Sequence, residues 1–231
     1  EALGGTIKRQ PGLAMLGTPE PFTQVAARRG DEMAHTLWEL TSENLVRLEI
    51  LLERFGVASE KVGSLRLAND AKQSAEFRDS VMRLKEYGYA VTLEDDSRYG
   101  DQVAISTSDD LLFTPQALTS KLLEHENIIV ERDAEVEGIK RQPDGSIAVS
   151  AHKRYLWTRK VIFANGIHAT RHDPVLAKIL RPTCVHTIVF ENNGTLAHPL
   201  IMDSGRVIFI PHEDNAYLTG WGDTEANLLW R

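Results

Sequence analysis

The stretch Lys160-Val161-Ile162-Phe163-Ala164-Asn165-Gly166 sets the reading of the chain: a compact apolar strand ends in Asn-Gly, a pair suited to a sharp turn as the backbone leaves a sheet. Before it lie four short β-like runs, at 128–131, 134–140, 146–150 and 154–158, with Pro143-Asp144-Gly145 as the turn between the second and third. They read as a small antiparallel meander. After it come three further strand patterns, at 185–191, 207–211 and 216–220, separated by turns at Asn193-Gly194 and Glu213-Asp214-Asn215.

The first half of the chain has helical periods. Gly4, Gly5, Gly12, Gly17, Pro11, Pro19 and Pro21 make the first 22 residues an irregular lead-in. Val25, Met33, Leu37, Leu40, Leu45, Leu48 and Leu52 then recur at helical steps, which predicts a long helix over 23–55, broken near Gly30 or recapped at Thr41 or Ser42, and stopped by Gly56. Residues 63–68 alternate Leu65 and Leu67 against Ser64 and Arg66, the pattern of a half-buried strand. Asn69 and Asp70 cap a second helix that buries Phe77, Val81 and Leu84 and ends at Gly88, and a short strand follows at 89–93. Pro115 opens another helix, with Leu118, Leu122 and Leu123 on its buried side.

The 231 residues are 42% hydrophobic and 26% charged, an ordinary globular composition of one large or two small domains. Apolar runs such as 161–164 and 207–211 are far too short to cross a bilayer, so no membrane span is expected. Against 33 acidic residues stand 26 basic ones, a formal charge of −7, which disfavours nucleic acid as the main partner. The single cysteine, Cys184, permits no internal disulfide and reads as an inert core residue, which fits a reducing compartment, here expected to be the cytoplasm, or a chain that needs no staples. The first residues carry no initiator Met and no signal-peptide pattern, and the chain reads as starting in mid-gene.

Familiar catalytic patterns are missing. No Gly-x-Gly-x-x-Gly, Walker loop, Gly-x-Ser-x-Gly elbow or His-Glu-x-x-His helix occurs, and Gly220-Trp221-Gly222 has Glu225 where a third glycine would stand. Among eight histidines the noted i, i+4 pair, His168 with His172, falls in an expected loop without a third ligand, so no metal site is expected. Asn193-Gly194-Thr195 matches a glycosylation sequon but reads as a hairpin turn.

Taken in order, several short pieces resemble the FAD-dependent oxidoreductases of the D-amino-acid oxidase, glycine oxidase and sarcosine oxidase superfamily. They are the Gly-rich lead-in Gly4 to Gly12, the long helix, Gly63-Ser64-Leu65-Arg66-Leu67-Ala68, the proline-led Phe113 to Leu118, Val136 to Ile139, the Asp144-Gly145 turn, Val161 to Gly166, Arg181-Pro182, Phe209-Ile210-Pro211 and Leu218-Thr219-Gly220. The chain is similar to the middle of such a protein, because a complete member starts with a βαβ unit bearing Gly-x-Gly-x-x-Gly. That unit sets the pyrophosphate on a helix N-terminus, so the resemblance implies FAD in the complete protein and weak retention by this chain alone.

The resemblance implies an α+β fold: a mostly antiparallel sheet flanked by helices (a substrate domain) interleaved with part of an FAD-binding α/β domain. It assigns 1–22 to a loop remnant of the flavin domain, 23–114 and 182–231 to the substrate domain, and 115–181 to the middle of the flavin domain. Thr6 and Gly12 would approach the pyrophosphate or ribityl side, Val136 would meet the adenine through its backbone, and Ala164, Asn165 and Gly166 would let the cofactor pass close. Turn formation alone would equally call for Gly12 and Gly166, and a core strand for Val136. A substrate carboxylate would need Arg206, His212 or Tyr217, with a solvated strand end as the alternative for His212. No catalytic residue is singled out.

The implied activity is oxidation of a C–N bond in a small amine or amino acid by hydride transfer to the flavin. Two other readings stay open: a non-catalytic small-molecule-binding module that has lost its flavin, and part of an RNA-modifying flavoenzyme, prompted by Lys8-Arg9 and Arg28-Arg29. Self-association through exposed strand edges is a further expectation.

Overall fold

The computed structural model describes residues 7, 10, 12–95, 102–180, 185–191, 197–212 and 215–221. Expectations resting on Thr6, Lys8-Arg9, Arg181-Pro182, Cys184, Asn193-Gly194, Glu213-Asp214 and Gly222 lie outside these residues. The chain divides into two compact units, Glu126–Cys184 with Glu1–Ala2, and Leu3–His125 with Val185–Arg231.

The larger unit takes its shape from two apolar periods. The strands in its first half are β1 (Leu13–Ala14), β2 (Ser59–Lys61), β3 (Ser64–Leu67), β4 (Val91–Glu94), β5 (Ala104–Thr107) and β6 (Leu111–Phe113). The helices are α1 (Phe22–Arg29), α2 (Asp31–Arg54), α3 (Ala71–Glu86) and α4 (Pro115–Leu123). Helical periodicity runs on through α1 and α2, yet Gly30 at φ 86° and ψ 156° ends one and opens the other, the break expected there. Asp31 and Glu32 then sit in the first turn of α2, where the helix dipole favours carboxylates. Asp70 caps α3 by accepting from the Gln73 amide at 2.7 Å, and Pro115 stands in the first turn of α4.

In the smaller unit come β7 (Val136–Arg141), β8 (Ile147–Ala151), β9 (Arg154–Thr158) and α5 (Pro174–Ile179); the larger unit resumes with β10 (Val185–Glu191), β11 (Leu200–Met202), β12 (Val207–His212) and β13 (Asn215–Trp221). A seven-stranded sheet runs β10-β13-β12-β11-β3-β5-β4, antiparallel at every step except β11 with β3. Its β3-β5-β4 end is covered on one face by helices: Phe22, Val25, Trp38, Phe77, Val81 and Leu84 pack with Val91 and Ile105. The other face gathers Leu200, Phe209 and Ala216 with Leu65, Leu67, Met202 and Leu218. The architecture is the expected α+β arrangement of antiparallel sheets flanked by helices.

Strand β3 reverses the expected polarity. Ser64 and Arg66 are the buried pair, under the helices, and Leu65 and Leu67 are partly exposed on the opposite face. Polar side chains lie under the helices because fixed partners meet them there, and the leucines find a second apolar cluster across the sheet. Strands β1, within the stretch expected to be irregular, and β2, β5, β6 and β11 were not foreseen; two to four residues without a long alternation give little periodic signal. Strand β10 is an edge, and all seven of its residues are exposed.

A three-stranded sheet, β1-β6-β2, ties the lead-in to the rest. Gly12, at φ 77°, accepts from the Phe113 amide at 3.1 Å, and a Cβ there would overlap the Phe113 carbonyl oxygen.

The smaller unit is described by itself. Strands β7, β8 and β9 form the antiparallel meander, with a register shift between Val136 and Gly138. Its turn is closed by Asp144, whose Oδ1 accepts from the Ser146 hydroxyl at 2.7 Å and the Ser146 amide at 3.0 Å. Asp173 caps α5 through the Val175 amide at 2.8 Å. Two predicted strands are absent: 128–131 and 161–164 have no ladder partner among the described residues, and Ile129 and Ile162 are 86% and 88% exposed. Apolar composition alone does not make a strand; the backbone N–H and C=O groups need a neighbouring chain to pair with. Among the described residues no helix is long and apolar enough to cross a membrane.

Gly12→Ala is expected to lower stability by about 2 kcal/mol or more, because positive φ and a filled Cβ position act together; chemical denaturation measures it. The Ser146 hydroxyl and amide hold the Asp144 carboxyl below the usual carboxylate range. The turn's contribution is therefore present above the ordinary carboxylate value and lost as pH falls through the depressed folded one. The Ser146 amide resonance should follow that acidic titration, and Asp144→Asn should abolish it.

Candidate functional site

The most unusual chemistry among the described residues is a carboxylate and a guanidinium buried together beneath α2. Asp110 lies in the connection from β5 to β6 with no exposed surface. It accepts from the Leu16 amide at 2.7 Å, from the Thr107 hydroxyl at 2.7 Å and from the Ser64 hydroxyl. Its own backbone carbonyl accepts from the Val62 and Gly63 amides at 3.0 and 3.2 Å, which fixes the connection from the other side. Three donors satisfy a charge that would otherwise be costly to bury.

Arg66 projects from β3 into the same interior. One Nη donates to the Leu16 carbonyl, and the guanidinium carbon stands 5.8 Å from the Trp38 ring centroid. Burial pulls this guanidinium below its ordinary value, and the negative charge of Asp110 opposes the shift. Its Nε and other Nη, and Trp38 Nε1, have no protein partner among the described residues. The following peptide is held too: the Gly17 amide donates to the Thr41 hydroxyl at 2.7 Å, and a Cβ at Gly17 would overlap the Trp38 ring. No motif in the sequence marks Asp110, and the alternation of β3 points Arg66 at solvent, so this cluster was invisible to pattern reading.

Of the residues expected to bind a cofactor, Gly12 is buried in the larger unit, and its missing Cβ makes room for Phe113. In the smaller unit, Val136 starts β7 opposite Ala151, partly buried, at the register shift that bends the strand. Ala164, Asn165 and Gly166 are all exposed. Gly166 has φ 58° and opens a 3-10 helix over Gly166–Arg171, and among the described residues nothing lies within 4 Å of a Cβ built on it. Its backbone is open to close approach by a planar or phosphorylated group. The nearby Phe163 and His172 rings stack at 6.0 Å.

The residues expected to bind substrate are divided. Arg206 is exposed just before β12, at the end of a turn that Asn69 and Gln73 hold through Asp203 and Ser204. His212, whose backbone alone is described, closes the same strand opposite Asn215. Six strand positions separate them, roughly 20 Å. Tyr217 pairs with Ile210, partly buried, and shares the His212 end and sheet face. One small carboxylate therefore spans at most one of these ends. Among the described residues no group of three or more His, Cys, Asp or Glu side chains is arranged to hold a metal ion.

No family model matches the chain, and no curated protein matches its sequence. Solved structures do share its fold. Glycine oxidase from Geobacillus kaustophilus superposes with a TM-score of 0.68 at 15% identity, over 95% of this chain and 61% of that one. L-amino acid deaminase from Proteus vulgaris gives 0.67 at 14% identity, over 94% and 52%. L-α-glycerophosphate oxidase from Mycoplasma pneumoniae, solved with FAD bound, gives 0.61 at 16% identity, over 92% and 60%. The chain thus spans about half to three fifths of these structures. At these identities the likeness shows the fold alone: the arrangement foreseen from the sequence is the one these solved structures share.

Proposed function

We propose that this chain is the central part of an FAD-dependent oxidoreductase that oxidises the C–N bond of a small amine or amino acid. The observation that carries the reading is the shared fold along 95% of the chain with glycine oxidase. The smaller unit is its flavin side and the larger unit its substrate side. An exposed left-handed Gly166 with open space where a side chain would stand fits close approach of the cofactor, and the backbone at Val136 suits a contact with the adenine. Gly12 serves the fold, and a cofactor role for it and for Thr6 rests on the resemblance alone. When bound, FAD supplies the acceptor for a hydride from the carbon next to nitrogen.

What the chain itself contributes is orientation and a dry wall. Ile201, Ile208 and Ile210 give the Tyr217 face of the sheet an apolar wall that excludes water from a small substrate. Tyr217, with His212 at the same end of the sheet, is the better pair for a substrate carboxylate, because Arg206 stands too far along β12 to share it.

The purified chain should bind FAD saturably though weakly in a titration read by flavin fluorescence, and in the complete protein amines or amino acids should bleach the flavin without oxygen. Tyr217→Phe should raise the concentration needed about three- to tenfold, the loss of one hydrogen bond. No saturable FAD binding would reject the reading for this chain and favour a binding module without cofactor. We propose also that exposed β10 pairs with a second copy; a monodisperse monomer by light scattering would reject this.

A further inference from the structure

We propose that Asp110 and Arg66 are positioning residues that grip the backbone of Leu16 from both sides and so hold the Gly12–Gly17 turn in one conformation. Asp110 takes the Leu16 N–H and Arg66 donates to the Leu16 C=O. These partners lie 94 and 50 residues from Leu16 in sequence. A charged side chain from β3 and another from the β5–β6 connection thus converge on one residue of a loop.

A purely stabilising role is a poor account of this arrangement. Two opposite charges buried near each other gain little over packed apolar side chains, because both lose their hydration. Among the described residues two nitrogens of Arg66 have no protein partner, so the guanidinium is not placed to maximise its hydrogen bonds there. What the pair does provide is direction: an N–H and a C=O gripped at once leave the Leu16 peptide planes no freedom to rotate. The ends of the turn are fixed as well, at Gly12 by the Phe113 backbone and at Gly17 by Thr41 and the Trp38 ring. Between these anchors Leu13, Ala14 and Met15 keep partial exposure on a rigid frame. The consequence for the cofactor rests on the proposed function together with the resemblance that sets Gly12 on the pyrophosphate or ribityl side: a turn ordered in advance lowers the ordering cost of binding.

The test uses the full 231-residue chain and reads two things separately. Amide hydrogen exchange, residue by residue, reports the grip, and FAD titration by flavin fluorescence reports its consequence. Asp110→Asn is expected to speed exchange at Leu16 and Gly17 by about tenfold or more while Phe77 and Ile105 keep their rates, because only local opening changes. Arg66→Met should do the same at Gly17, and Arg66→Lys should recover part of the protection. In each variant FAD affinity should weaken about tenfold, in step with the exchange. If Asp110→Asn fails to fold, Ser64→Ala carries the same test, since it removes one donor to the carboxylate and leaves both charges in place. Exchange that rises equally at Leu16, Phe77 and Ile105 would show a general scaffold role and overturn the proposal, as would unchanged exchange at Leu16. Faster exchange with unaltered FAD affinity would overturn positioning toward the flavin. A wild-type chain that binds no FAD defeats the proposed function, while the exchange rates alone still decide the grip.

Discussion

A carboxylate without solvent must find all its hydrogen bonds inside the protein, and Asp110 finds them on three different segments: the lead-in at Leu16, β3 at Ser64 and β5 at Thr107. That requirement organises the larger unit. It sets Ser64 and Thr107 side by side in the sheet register, brings the lead-in across β3, and places Leu16 where Arg66 reaches its carbonyl. The aromatic wall of α2 follows, since Trp38 lies against both the guanidinium and Gly17. Truncating Asp110 would leave a buried cation and several orphaned donors, a change of the kind that costs several kcal/mol.

The same cluster explains which parts of the fold were legible. Helices α2 and α3 could be read because their apolar residues repeat over many turns, and Gly30, Asp70 and Pro115 mark ends by local chemistry that no tertiary contact overrides. The existence of β3 was legible and its facing was not. Alternation separates two sets of side chains, but which set is buried depends on what lies above and below the sheet. Here the polar set meets Asp110 and Trp38, and the apolar set meets Leu200 and Phe209. Neither partner is near in sequence.

In the smaller unit the failure runs the other way. The apolar runs at 128–131 and 161–164 carry the composition of strands and remain unpaired among the described residues, with isoleucines turned to the surface. Strands β7 to β9 are less apolar and form a ladder, because each turn delivers the next strand directly alongside. Pairing is a property of two segments, and hairpin turns are the one case in which a single sequence window contains both.

Candidate site residues divide by the same physics. Gly12 and Gly166 look alike in sequence, each a left-handed glycine that a cofactor would pass. At Gly12 the space of the absent side chain holds the Phe113 carbonyl, so the fold by itself explains the glycine. At Gly166 that space is open and the neighbours are exposed, so backbone conformation accounts for the glycine and leaves room for something further. A glycine argues for a ligand only where the chain has not already used the room, and of the two this condition holds at Gly166. The substrate residues meet an equivalent limit, because register sets Arg206 and His212 at opposite ends of β12, and no choice of rotamer closes roughly 20 Å. A carboxylate that needs two convergent donors must therefore draw them from the Tyr217 end or from residues that no linear pattern names.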